Sequence, residues 1–197
     1  MAAIGRPREF DRDAALEAAM LLFWRKGFAA TSMNDLCDAM GVRSPSLYAA
    51  FGSKEELYLE AMEHYVQTQG AVWNKLAEGE TGRAGVENLL IAGSEILPKS
   101  RPTPAGCMAM LAAVGDEWPA SVVRVVRKVR LAVLDLLRAR LETAMAEGEL
   151  PASADIDGLG RFYLGVFQGM AIQARDGATK AELRGVVEAA MAAWPGA

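Results

Sequence analysis

The chain has 197 residues, 52% of them hydrophobic, and its mean hydropathy is +0.11. This composition is typical of a globular protein with a sizeable core and excludes extensive disorder. The net charge is −4, which excludes a strongly basic chain, but residues 1–54 carry seven basic and six acidic side chains against 14 and 19 in residues 55–197. The N-terminal part is therefore relatively basic, which permits a small DNA-binding face.

Several protein classes are not supported by the sequence. No apolar run is long enough to span a bilayer and no signal-peptide pattern follows the basic N-terminus, so we expect a cytoplasmic protein without a membrane partner. The two cysteines, Cys37 and Cys107, fit a reducing compartment. An enzyme is not expected, because the single histidine, His64, is accompanied by no nucleophile elbow, no phosphate-binding glycine loop and no paired metal motif. No cofactor is predicted.

The first two helices are predicted from their capping residues. Asp11 is a suitable N-cap for a first helix, and a glycine ends the apolar periodicity that follows. Thr31 or Ser32 caps a second, short helix. Asp35 lies three residues after Ser32, as in a variant of the capping box, and Gly41 ends the helix.

The next two helices follow after very short turns. Ser44 is predicted to cap a third helix with Pro45 at its first position, where the missing N–H costs nothing. Ser53 and Glu56 form a capping box for a fourth helix, which continues to about Gly70. The second and third helices together have the pattern of a helix-turn-helix, in which the later helix can enter the DNA major groove. An ordinary helical hairpin has the same pattern, so both interpretations remain open on the pattern alone.

Five further helices are predicted in the C-terminal part from periodicity and from the loops PKSRPTPAG, EGELPAS and RDGAT. They are residues 82–97, 105–116, 119–147, 155–176 and 179–194. The fourth of these contains Gly158, Gly160, Gly165 and Gly169 among apolar residues, which predicts close approach of another helix.

Apolar residues recur at helical spacing on the last two helices. This pattern predicts a two-fold interface in which each surface meets its copy, although an internal core has the same pattern. The predicted interface residues are Phe162, Val166, Met170, Leu183, Val186, Val187, Ala190 and Met191.

The motifs GRPR, GFAATSMNDLCDAMGV and SLYAAFGSKEEL occur in this order in the first third of the chain. On these motifs the segment from Gly5 to Tyr65 resembles the N-terminal domain of the TetR family of transcriptional regulators. The resemblance implies an all-α homodimer, usually a repressor, with about nine helices. It also implies an N-terminal arm and helix-turn-helix DNA-binding domain in residues 1–54, and a ligand-binding and dimerisation domain in residues 55–197.

Carried over residue by residue, the resemblance implies contacts with double-stranded operator DNA. These residues are Arg6, Arg8, Thr31, Ser32, Arg43, Ser44, Pro45, Ser46, Tyr48, Ala49 and Lys54. Arg43 would read a guanine or meet a phosphate, and Lys54 would meet a phosphate. Thr31 and Ser32 would contact phosphate or serve only as caps. The chain departs from the family at Ala49 and Ala50, where aromatic residues or histidine are common, and this removes possible DNA contacts.

The resemblance also implies an effector cavity in the C-terminal domain. An apolar cavity with one or two polar groups suits a small hydrophobic or aromatic effector. The predicted lining residues are Trp73, Ser94, Cys107, Met110, Trp118, Phe167 and Gln168. Two alternatives remain: a Cu(I) sensor that uses Cys107, Met108, Met110 and His64, and a thiol redox switch at Cys107. The spacing of these residues specifies no metal site.

Overall fold

Nine α-helices and one 3-10 helix follow one another in the computed structural model, which describes residues 11–98, 102–112 and 118–196. No β-strand occurs within these ranges, and the all-α prediction is confirmed. The helices are α1 (Arg12–Lys26), α2 (Met33–Met40), α3 (Ser44–Phe51), α4 (Lys54–Gln69), the 3-10 helix (Gly70–Leu76), α5 (Gly82–Ile96), α6 (Met108–Leu111), α7 (Ala120–Ala146), α8 (Ile156–Arg175) and α9 (Lys180–Ala192).

The capping predictions for α1, α2 and α4 are confirmed. The carboxylate of Asp11 accepts hydrogen bonds from the N–H groups of the second and third residues after it. Ser32 with Asp35 and Ser53 with Glu56 form reciprocal capping boxes, in which each partner accepts from the backbone N–H of the other. Such caps stabilise a helix by about 1 kcal/mol each and fix where it begins.

The start of α3 and the extent of α6 differ from the predictions. Arg43, not Ser44, is the N-cap of α3, so Ser44 and Pro45 are its first two helical residues. Proline is tolerated at the second position as well as the first, because the N–H that it lacks would have no acceptor within the helix at either position. Helix α6 comprises four residues and not 105–116, because Gly106 adopts φ +81° and Ala112 is extended. The predicted end of that helix, residues 113–116, lies outside the described residues.

Helix α4 joins two groups of helices, the head (α1–α3) and the body (the 3-10 helix with α5–α9). It contacts α1 and α3 in the head and the 3-10 helix, α6 and α7 in the body. Tyr58, Met62 and Tyr65 of α4 are buried in a core that is continuous from head to body. The division at residues 54 and 55 therefore stays a prediction.

Helix α5 forms the centre of the body and contacts the 3-10 helix, α7, α8 and α9. Gly93 permits its approach to α8, since a Cβ atom there would lie 2.8 Å from Cε2 of Phe167. Within the described ranges, no helix has the length and apolar character needed to cross a membrane.

Candidate DNA-binding face and interior cavity

Helix α3 exposes one side and buries the other. Leu47 and Phe51 are buried against the rest of the head. The exposed residues are Arg43, Ser44, Pro45, Ser46, Tyr48 and Ala49. These six are the residues that were assigned to DNA contact on this helix, and the structure places them together on a solvent-facing surface.

Arg43 differs from its neighbours on this surface because its positive charge has no partner within the described residues. No hydrogen bond or ion pair joins its guanidinium to another group in those ranges, and it makes no capping bond. It lies at the N-terminus of α3, where unpaired backbone N–H groups favour an anionic partner. A free arginine at a helix N-terminus can form two parallel hydrogen bonds to a guanine edge or to a phosphate.

Thr31 and Ser32 have different environments, and one expectation for them is wrong. Thr31 is 1% exposed, and its hydroxyl donates a 2.6 Å hydrogen bond to the carbonyl of Gly27. This hydroxyl therefore serves as the hydrogen-bond donor for a carbonyl at the end of α1 and is not available to a phosphate. Ser32 is exposed. Hydrogen bonds from Lys26 and from Ser32 hold the pKa of the Asp35 carboxyl far below its ordinary value.

Lys54 lies at the first position of α4, where a phosphate contact was predicted. Its Nζ lies 4.4 Å from the centre of the Phe28 ring, a cation–π geometry. Partial burial lowers the pKa of this lysine. The ring fixes the ammonium beside α3 without neutralising it, so the positive charge remains available. Arg6 and Arg8, assigned to a DNA-contacting arm, lie outside the described residues.

Arg12 was not singled out from the sequence, yet it links two helices of the head to α4. Its guanidinium bonds both carboxylate oxygens of Glu60, at 2.5 and 2.8 Å, and lies 4.5 Å from the centre of the Phe51 ring. It therefore links α1 to the end of α3 and to α4. The sequence signal is weak, because the two charges are 48 positions apart.

A cavity of about 1030 Å³ that is partly open to solvent lies among α4, the 3-10 helix, the start of α6 and α7. Four of the seven predicted effector residues line it. These are Trp73, Cys107, Met110 and Phe167. Trp73 and Phe167 contact each other, with ring centres 4.7 Å apart, and supply an aromatic wall.

The other three predicted effector residues do not line the cavity. Ser94 is fully buried, and its hydroxyl donates to the carbonyl of Ile91, within its own helix. Gln168 lies behind the wall, with its Nε2 3.7 Å from the sulfur of Met110. Trp118 packs against Phe28 and Tyr58 at the junction of head and body, with ring centres 5.7 and 6.0 Å away. These three positions could not be assigned correctly from the sequence, because helical spacing does not distinguish a cavity wall from a packed core.

Two aromatic residues that line the cavity were missed. Trp24, at the end of α1, lines it although it belongs to the head, and its ring lies 5.0 Å from that of Tyr65 of α4 in an edge-to-face arrangement. The hydroxyl of Tyr65 donates a 3.0 Å hydrogen bond to the sulfur of Cys107. The indole N–H of Trp24 is buried and has no hydrogen-bond partner within the described residues. The cavity therefore touches both the body and a helix of the head.

The metal and redox alternatives depend on Cys107 and its neighbours. His64 does not join Cys107, because its Nε2 lies 2.8 Å from a carboxylate oxygen of Glu17 on α1. Burial raises the pKa of the Cys107 thiol, and the neutral thiol is a poor nucleophile and a poor metal ligand. Within the described ranges, no three His, Cys, Asp or Glu side chains are placed to hold a metal ion.

The residues predicted for a two-fold interface divide into two groups. Five of them are buried within the single chain and belong to its core: Met170, Leu183, Val187, Ala190 and Met191. For these five the interface prediction is wrong, because they pack α8 and α9 onto the body. Phe162 is 44% exposed, and Val166 and Val186 are partly exposed. These three remain available to a second copy.

The glycines of α8 divide in the same way. A Cβ on Gly160 would lie 3.3–3.4 Å from side-chain atoms of α7, so this glycine permits close packing within the chain. At Gly165 and Gly169 a Cβ would meet nothing within 4 Å. Together with Phe162, Val166 and the exposed Ile172, these two glycines form a flat stripe along α8, which we call the α8 stripe.

The family model for bacterial regulatory proteins of the tetR family matches residues 15–61. The HTH-type transcriptional repressor ComR of Escherichia coli K12 is 33% identical over 194 residues, which is 97% of this chain and 92% of ComR. The repressor BdcR of the same organism is 48% identical over 65 residues, 33% of either chain.

Solved structures give the same result. A triple cysteine variant of the TetR family transcriptional regulator CifR, in complex with 26-bp double-strand operator DNA, has a TM-score of 0.89 and 39% identity, covering 97% of this chain and 100% of CifR. A double cysteine variant of CifR, also with operator DNA, has a TM-score of 0.90 and 40% identity, covering 96% of this chain and 100% of CifR.

Proposed function

This chain belongs to the TetR family of bacterial transcriptional repressors, and from that premise we propose that it binds a palindromic operator as a homodimer and releases it when a small hydrophobic effector fills the cavity. The observation that carries the DNA-binding part is the exposed surface of α3 with Arg43 at its N-terminus. The operator-bound regulator CifR, with its TM-score of 0.89 over almost the whole chain, supports the same use of this surface.

Each exposed residue of α3 has a proposed role set by its chemistry. Arg43 reads a guanine edge in the major groove, and Ser44 and Ser46 donate to phosphates or base edges near the helix N-terminus. Tyr48, which is 50% exposed, donates its hydroxyl to the DNA backbone. Lys54 supplies a phosphate contact from the start of α4. Pro45 and Ala49 provide close approach and an apolar contact, so most of the discrimination falls on Arg43.

The homodimer is proposed to form through the α8 stripe and the outer side of α9. The stripe combines exposed Phe162 with two glycines that have open space above them, which would let a second α8 approach closely. Val186 lies on α9, which packs against α8. A two-fold arrangement would place two copies of α3 in successive major grooves, about 34–36 Å apart.

The effector is proposed to be a small, mainly hydrophobic or aromatic molecule. The aromatic wall of Trp73 and Phe167 supplies contact area, and about 1030 Å³ accommodates a molecule of drug-like size.

Helix α4 is proposed to transmit effector binding to the DNA face. It begins at Lys54, beside α3, and its later residues Met62 and Tyr65 line the cavity. An effector that shifts this part of α4 would change the position of the head and therefore the spacing of the two α3 helices. The effector releases DNA only in proportion to its preference for the conformation that does not fit the operator.

One titration series tests this proposal. A fluorescent duplex carrying a sequence selected by the protein is titrated at fixed salt, and bound protein is counted by analytical ultracentrifugation. We expect two chains per duplex, and we expect compounds that raise the melting temperature of the free protein to release the duplex. A single chain per duplex would contradict the homodimer, and compounds that stabilise the protein without releasing DNA would contradict the effector mechanism.

A further inference from the structure

Arg175, the last residue of α8, binds three backbone carbonyls that come from two distant segments. One Nη atom donates to the carbonyl of Trp24 at 3.1 Å and to that of Ala105 at 3.2 Å. The other donates to the carbonyl of Arg25 at 2.5 Å. Trp24 and Arg25 belong to the end of α1 in the head, whereas Ala105 precedes α6 in the body. A single guanidinium therefore joins the head to the body.

The end of α1 needs these donors. The last four carbonyls of an α-helix have no partner within the helix, and they carry the negative end of its dipole. The carbonyl of Phe23 accepts from the N–H of Gly27, the C-cap. Arg175 satisfies the next two carbonyls and places a positive charge at the helix C-terminus, where it is stabilising. The conformation of this end of α1 thus depends on a residue of the body.

The third carbonyl belongs to a segment that forms the wall of the cavity. Gly106 and Cys107, which directly follow Ala105, both line the cavity. The N–H of Gly106 donates to the carbonyl of Leu97 at 2.8 Å. A Cβ on Gly106 would lie 2.8 Å from the carbonyl oxygen of Ala171 on α8, so the segment has no room to move towards α8. Because Gly106 directly follows Ala105, any displacement of this wall would move the carbonyl of Ala105 as well.

From this geometry we infer that Arg175 is a positioning residue that couples the cavity wall at residues 105–107 to the DNA-binding head. The inference rests on the proposed function and specifies its regulation. A planar guanidinium holds three carbonyls only while their relative positions are fixed. When Ala105 shifts, the guanidinium loses one carbonyl or moves with it, and in both cases the end of α1 is disturbed. This route acts on α1 and is separate from the route through α4.

A substitution in the wall serves as a probe, so no effector is needed. In Gly106→Ala, the new methyl group would meet Ala171 and Leu111 at 2.8 and 2.6 Å, and the positive φ adds strain, so the segment must move. Gly148→Ala is the matched control. Its φ is +79°, but the methyl group would meet nothing within 4 Å and Gly148 does not line the cavity. Both glycine variants are also combined with substitutions of Arg175. Arg175→Gln removes the charge, whereas Arg175→Lys keeps the charge but lacks the planar guanidinium.

Two readouts are measured for each variant: hydrogen exchange of the last-turn amides of α1 in the free protein, and the dissociation constant for a selected duplex. We expect Gly106→Ala to speed the exchange and to weaken DNA binding about tenfold each. We expect Gly148→Ala to change neither. With Arg175→Gln or Arg175→Lys, adding Gly106→Ala should change both quantities less than about twofold, because the link is already lost.

The inference would be overturned if the substitutions at Gly106 and Arg175 acted independently of each other. If the fold-changes of Gly106→Ala and Arg175→Gln multiply in hydrogen exchange, the wall does not act through Arg175. A purely stabilising role of the arginine charge predicts that Arg175→Lys behaves like the wild type, which would also overturn it. The exchange measurement needs no DNA, so it decides the coupling even if the wild-type chain selects no duplex, a result that would refute the proposed function alone.

Discussion

Replacing Arg43 with alanine is the sharpest perturbation of the proposed DNA face. The side chain is exposed and makes no hydrogen bond or ion pair within the described residues. Its removal therefore takes no folding contact away, and we expect the free energy of unfolding to change by less than about 0.5 kcal/mol. A change in DNA binding can then be assigned to the interface and not to damage of the fold.

The size of the effect follows from the number of copies and the type of contact. A bidentate arginine–guanine pair contributes about 1–3 kcal/mol to discrimination against the wrong base, and a homodimer would form two such pairs. Arg43→Ala should therefore reduce the preference for the selected duplex over a scrambled one by about 30-fold to about 2.5 × 10⁴-fold. If Arg43 contacts only phosphate, both duplexes lose affinity alike, and the salt slope falls by about 1.8 for two contacts.

Fluorescence anisotropy titrations of both duplexes at several salt concentrations separate these cases. Arg43→Lys is the matched control, because lysine keeps the charge but cannot form the planar pair of hydrogen bonds. We expect this variant to keep most of the salt slope and to lose most of the sequence preference. Unchanged affinity of Arg43→Ala for both duplexes at every salt concentration would refute the reading role.

Three further predictions concern the fold, its pH dependence and its assembly. Leu47 is fully buried, and Leu47→Ala should lower the free energy of unfolding by about 2–5 kcal/mol in urea titrations; a smaller loss would mean that α3 is not held by this contact. The pKa of Asp35 is lowered in the folded state, so its contribution to stability is fully present above the ordinary value of 3.8 and is lost as pH falls from there through the much lower folded-state pKa. Asp35→Asn should thus be less stable than wild type at pH 7, and the difference in stability should be smaller, though not zero, at pH 3; an equal difference at both pH values would exclude this linkage. Phe162→Glu should give monomers in sedimentation velocity, whereas Tyr48→Glu, equally exposed but on α3, should stay dimeric and lose DNA binding; a dimeric Phe162→Glu would exclude the α8 stripe as the interface.

Local signals in the sequence were sufficient for much of the head. The caps at Asp11, Ser32 and Ser53 were predictable because a capping side chain bonds to the backbone two or three residues away, and the sequence displays that spacing. Leu47 and Phe51 lie four positions apart and therefore share the buried side of α3.

Long-range contacts were not predictable in this way. The hydroxyl of Thr31 bonds to Gly27, although its place before a helix suggested an outward role. Trp24 looked like an ordinary residue of α1, and only the tertiary structure brings it to the cavity. Arg175 donates to carbonyls of α1 that are about 150 positions away. Every residue has a backbone carbonyl, so the sequence does not reveal which ones accept these hydrogen bonds. Periodicity also assigned Met170 and Met191 to an interface, because a core and an interface impose the same apolar pattern.

The decisive measurement is the selection of bound sequences from a random pool of duplex DNA, with the purified 197-residue chain at a stated salt concentration. A two-fold repressor that reads DNA through α3 should enrich a palindrome whose half-sites are centred about 34–36 Å apart, and Arg43→Ala should fail to enrich it. If the folded, dimeric wild-type chain enriches no sequence, or enriches one without two-fold symmetry, the assignment of this surface to operator reading is contradicted.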